Sequence, residues 1–168
     1  MSPSTRTGVF NALAAYFMWG LAPIYFKLID SISADEIMIH RVLWSTIFLA
    51  VIVILMKKWT ALKEIVTTPK TILGLAITAS FLGVNWFMFI WAVNNDHLLD
   101  ASLGYYINPL FSVALGVIFL GERLRKWQLM AVVLAIIGVL IQLIALGTLP
   151  IISLALAGTF GIYGLLRK

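Results

Sequence analysis

The chain has 168 residues, 62% of them hydrophobic and 11% charged, with a formal net charge of +5. A soluble domain carries roughly 25% charged residues, so a water-exposed globular fold is excluded and the bilayer is the solvent to reason with. Cysteine is absent, which leaves no disulfide framework and no thiolate metal site.

A hydrocarbon core about 30 Å thick needs about 20 apolar residues per helix. Six segments meet or approach that length: Gly8 to Ile29, Ile37 to Met56, Thr71 to Val93, Ala101 to Leu120, Gln128 to Leu146, and a shorter one from Pro150 to Leu166. Apolar runs of this length fit helices, because barrel strands are short and alternate. The first segment follows Arg6 and contains "ALA" (Ala12 to Ala14), yet it is too long for a signal sequence and its small residues stand at the wrong end. It reads as a retained span.

Span one carries Trp19 and, in "WGLAPIYFK", Pro23. Proline lacks an N–H, so Pro23 frees the carbonyl of Trp19 and predicts a kink. Lys27 follows near the outer end. Span two opens with His40 and Arg41, about one turn inside that same end. Arg41 can snorkel outward or pair with Asp30, Asp35, Glu36 or Asp100; alternatively it forms a positive outer rim with Lys27, beside His40. Span three offers Asn85 and Trp86 in "GVNWFMFIW". A buried amide there is interhelical glue or a ligand contact with equal weight. Span four contains "SLGYYINPL", in which Pro109 frees the carbonyl of Tyr105 beside Asn108. Two proline-interrupted helices in one bundle point to a binding site near the membrane midplane. The candidate cavity is therefore Trp19, Asn85, Trp86, Tyr105 and Asn108, with aromatic walls (Tyr106 among them) suited to an apolar or cationic organic solute. Packing alone is the competing explanation for each kink and each ring.

Small-residue ridges, Ser153-Ala157-Gly161 on span six and Ser112-Gly116 on span four, permit close helix approach. Gly121 in "GERLRKW" ends span four. No carboxylate lies deep in any span, no metal-ligand spacing or phosphate loop occurs, and the two histidines give an intramembrane hydrolase little to work with. The expectation is a protein that is not an enzyme and takes no cofactor and no metal.

The charges orient the chain. Arg6, Lys57, Lys58, Lys63, Lys70, Arg123, Arg125, Lys126, Arg167 and Lys168 all fall on one side of the six spans, whereas Asp30, Asp35, Glu36, Asp96 and Asp100 fall on the other. Positive charge marks the cytoplasmic side, so both termini are expected there, in the inner (plasma) membrane. Trp59 and Trp127 would sit at the inner interface and Trp91 at the outer one. The basic balance is topological and implies no nucleic acid.

At an offset of 144 residues Trp19-Gly20-Leu21 falls on Tyr163-Gly164-Leu165. Five spans separate the two, so a second copy would run in the opposite sense, as in inverted-repeat transporters. The expected fold is all-α and polytopic: a bundle of about six transmembrane helices, with residues 1–149 a five-helix repeat and 150–168 the first helix of an inverted, truncated second one. The chain reads as the front part of a longer protein or as a product that works by pairing with another copy.

"WGLAPIYFK", "EIMIHRVLWS", "NWFMFIWAVN" and "ASLGYYINPLFSVALGVIFLGERLRKWQ" resemble the RarD subgroup of the EamA-type drug/metabolite transporters, and "LALAGTFGIYGLLRK" resembles the start of that family's second half. The resemblance implies ten helices in two inverted repeats, cytoplasmic termini and a central cavity opening alternately to each side. The expected function is a permease for small organic solutes, with the lipid bilayer, the solute, and a homo-oligomer or second repeat as partners. A membrane scaffold that does not transport is the alternative.

Overall fold

A computed structural model describes residues 3–147 and 149–167. Among them are seven α-helices and no strand: α1 (Pro3–Leu28), α2 (Ala34–Leu55), α3 (Trp59–Thr67), α4 (Pro69–Asn94), α5 (Leu98–Leu120), α6 (Lys126–Leu146) and α7 (Ile151–Leu166). Five of these, α1, α2, α4, α5 and α6, are long and apolar enough to cross a membrane. The apolar α7 has 16 residues, about 24 Å at 1.5 Å per residue. The chain is thus a polytopic helical membrane protein. Lys168, counted with the basic side, lies outside the described residues.

The connection between α2 and α4 contains the helix α3. Its sequence "WTALKEIVT" sets Trp59, Leu62, Ile65 and Val66 on one face and Lys63, Glu64 and Thr60 on another. That pattern suits a short helix lying in the interface plane. Proline at the first position of α4 suits a helix start, where no N–H partner is needed. Gly121 adopts φ +65° and caps α5, a left-handed position that glycine takes without strain. Gln128 Oε1 accepts a bond from the Arg125 N–H at 2.8 Å and caps the start of α6.

The buried core gathers at the end of the bundle that carries Asp30, Asp35, Asp96 and Asp100, here called the acidic end. It is made of Phe26 from α1, Ala34 and Ile37 from α2, Phe89, Ile90, Ala92 and Val93 from α4, Ala101 from α5 and Leu156 from α7. Most other large apolar side chains on α1, α2 and α6 are exposed, as lipid-facing surfaces are.

The tightest packing belongs to α7, which lies mainly against α5 and then α4. Its ridge of small residues makes this possible. Ser153 and Ala157 are fully buried, and a Cβ on Gly161 would come within 3.0 Å of Phe111. On α5 the close approach occurs at Gly104, where a Cβ would meet Leu156 Cβ and Ser153 O, each at 3.1 Å. The expected Ser112-Gly116 pair instead borders a small hollow beside Gly161 and Gly164. Ser153 Oγ also donates to the Asp100 carbonyl at 2.6 Å.

Candidate functional site

Two cavities flank one aromatic cluster. The first, about 450 Å³, lies between α1, α4 and α5 and is lined by Trp19 and Pro23, Trp86 and Phe89, and Tyr105, Asn108 and Pro109, with Ser102 nearer the acidic end. It falls within the roughly 300–1,000 Å³ of small-molecule sites. Four of the five candidate cavity residues and both prolines thus line one cavity.

The helical spacing explains why. Trp19 and Pro23 are four residues apart, as are Tyr105 and Pro109, so each proline shares a face with the residue whose carbonyl it frees. Both helices run unbroken through their prolines; each proline removes a backbone bond at the cavity without ending the helix. Asn108 is half-buried, and its Oδ1 accepts a long bond, 3.5 Å, from Ser112 Oγ.

Asn85 stands elsewhere. It is buried in the α4–α7 interface, where Nδ2 donates to Leu156 O at 2.8 Å and to Thr159 Oγ1 at 2.9 Å. It borders only a crevice of about 10 Å³ shared with Asn108. Both bonds join α4 to α7. Tyr106 is exposed and points away from the central cavity.

The second cavity, about 570 Å³, opens between the acidic ends of α1 and α2 and is lined in part by Tyr25, Phe26, Glu36, His40, Arg41 and Trp44. His40 and Arg41 therefore share a rim, but Lys27 does not join them. Its Nζ lies 3.2 Å from Asp30 and 2.8 Å from Asp96, tying the end of α1 to the α4–α5 turn. That contact holds the Asp96 carboxyl below the usual carboxylate range, through the hydrogen bond from Lys27 first and its charge second. Arg41 takes none of the carboxylates the sequence offered it. Its Cζ sits 3.4 Å from the centroid of the Trp86 ring.

Trp86 joins the two cavities, lining one and carrying the Arg41 of the other. Edge-to-face contacts extend from it to Trp19 (6.4 Å), Phe26 (6.5 Å) and Phe89 (5.8 Å), and Phe89 continues to Tyr105 at 5.6 Å. Such pairs contribute about 0.5–1.5 kcal/mol each beyond area burial. Sequence reasoning missed Phe26 and Phe89. Phe89 follows Trp86 by three residues and so shares its face; that spacing was the available signal.

The sequence matches the EamA-like transporter family over residues 6–144. The chain belongs to this family. Protein RarD of Escherichia coli (strain K12) is 57% identical over 164 residues, 98% of this chain and 55% of that protein. The uncharacterized transporter YojE of Bacillus subtilis (strain 168) is 42% identical over 167 residues, 98% of this chain and 56% of that one. The chloramphenicol-sensitive protein RarD of Pseudomonas aeruginosa is 31% identical over 165 residues, 96% and 55% respectively. The chain spans about half the length of the curated relatives it matches. No solved structure matches it. The EamA-like match takes in the five long helices almost entirely and every residue named on the two cavity walls; α7 lies beyond it.

Proposed function

We propose that this chain forms the front part of a permease that moves small organic solutes by alternating access around the central cavity. In this reading residues 1–149 are one five-helix repeat and 150–168 open an inverted second one. The basic side faces the cytoplasm across the inner (plasma) membrane, and a second repeat or second copy covers the open side of the cavity. The observation that carries the reading is the convergence of Trp19-Pro23 and Tyr105-Pro109 on one cavity of about 450 Å³. Backbone freed of helical bonds is tolerated at membrane depth where it lines a cavity. The names of the relatives add weight: one is called a transporter and one chloramphenicol-sensitive. A scaffold would associate through small-residue ridges, but the ridge of α7 is occupied within the chain.

The test uses the absence of cysteine from these 168 residues, with any cysteine elsewhere in the protein replaced by serine. Asn108→Cys and Ser102→Cys, each the sole thiol, are exposed to a membrane-impermeant thiol reagent in right-side-out and inverted vesicles. A hydrated, alternately accessible cavity labels Asn108→Cys in at least one orientation. If both positions stay unlabelled from both sides while Asp96→Cys reacts, the permease reading fails.

A further inference from the structure

Arg41 lies seven residues into α2 from Ala34, about 10 Å along the helix. A charged side chain at that depth is costly unless it finds a counter-charge, water or a suitable ring. It finds the ring of Trp86. With Cζ 3.4 Å from the centroid, only a nearly parallel stack fits, since a tilted guanidinium would push a nitrogen into the indole.

Stacking occupies the face of the guanidinium and leaves its edge. The N–H donors lie in the plane and form a fork that matches a carboxylate. No described residue accepts a hydrogen bond from them, and none of the ion pairs found involves Arg41. Lys27, the other cation at this end within a helix, is already held by Asp30 and Asp96. Glu36 and His40 share the rim cavity with Arg41 but form no ion pair with it. The cavity that Arg41 lines is also lined by the rings of Tyr25, Phe26 and Trp44.

We infer that the rim cavity recognises an amphipathic monocarboxylate. The Arg41 guanidinium receives the carboxylate edge-on while Trp86 supports one of its faces, and the apolar body of the solute rests on Tyr25, Phe26 and Trp44. The stack fixes the fork before the solute arrives, which reduces the ordering required on binding. The inference rests on the permease reading and gives it a solute class.

The test places a single thiol at Ser45, which lines the same cavity. Full-length Ser45→Cys protein in membranes is labelled with methyl methanethiosulfonate in the presence of 3-phenylpropionate or of its uncharged analogue, 3-phenylpropionamide. The acid is expected to protect at concentrations at least tenfold lower than the amide. Arg41→Gln should abolish that difference, and Arg41→Lys, which keeps the charge but loses the fork, should retain a fraction of it. Equal protection by acid and amide overturns the inference even with Arg41 intact, so the outcome does not depend on how well the variants fold. An acid preference that survives Arg41→Gln overturns it as well. If Ser45→Cys resists labelling while Asn108→Cys or Ser102→Cys reacts, this inference falls and the permease reading stands; if all three resist, both fall.

Discussion

Asn85 donates to the carbonyl of Leu156 and to the hydroxyl of Thr159, which itself bonds back to Ala155 O at 2.7 Å. A carbonyl oxygen has two lone pairs, so Leu156 can serve α7 and Asn85 together. In membrane proteins such interhelical bonds contribute about 0.6 kcal/mol on average and up to about 1.7. Asn85→Ala is therefore expected to lower stability by about 1 kcal/mol, seen as a Tm drop of roughly 2–4 °C in detergent; an unchanged Tm would deny Asn85 its interhelical role. At the acidic end, the lowered pKa of Asp96 makes its contact with Lys27 stabilising above the unfolded carboxylate pKa of about 3.9. The contribution is lost as pH falls through the lower folded value. The difference in Tm between the parent and Asp96→Asn should hold from pH 8 to pH 5 and shrink only below about pH 4. The site is exposed, so the difference will be small.

Among the elements, α5 and α7 meet through glycine, but their glycines are not equivalent. A methyl at Gly104 strikes backbone atoms of Ser153 at 3.1 and 3.3 Å, whereas one at Gly161 strikes the side chains of Phe111 and Leu115 at 3.0 and 3.2 Å. Backbone cannot rotate aside and side chains can. Gly104→Ala should destabilise by about 1–3 kcal/mol and Gly161→Ala by less; a reversed order in paired thermal melts would contradict the packing. The long helices were legible because continuous apolar length is a strong signal, and the ridge on α7 because small residues four apart share a face. α3 was not, since nine residues with Lys63 and Glu64 among them resemble a loop in a hydropathy reading. Gly104 was passed over because nothing in "SLGYYINPL" tells which side of α5 a neighbour will cover.

For the whole molecule, the two cavities show what one chain's pattern can and cannot give. Trp19, Tyr105 and Asn108, which line the first cavity, were legible through the prolines beside them, and Trp86 through its place beside Asn85 in an apolar span. The Arg41–Trp86 stack was not, since both carboxylate pairing and snorkelling were open to Arg41 and only the approach of α2 to α4 selects the ring. The orientation has a direct check: with Lys63→Cys as the sole thiol, inverted vesicles should label strongly and right-side-out vesicles at least tenfold less. The opposite preference would reverse the assigned sides and with them the entrance at Arg41.

The position of α7 also bears on how the protein is made. Synthesis runs from the N-terminus, and domains form as their chain emerges. α4 and α5 enter the bilayer with Asn85 and Gly104 facing a space that only α7 fills. Until α7 emerges, the Asn85 amide has no Leu156 or Thr159 to bond, and a polar group among lipid tails is unfavourable. The pause between α5 and α7 is a vulnerable interval, in which α6 must insert and turn back before the core can close. Nascent chains arrested before residue 151 should hold α4 and α5 loosely, within reach of the insertion machinery and membrane proteases, and chains released after Leu166 should become resistant.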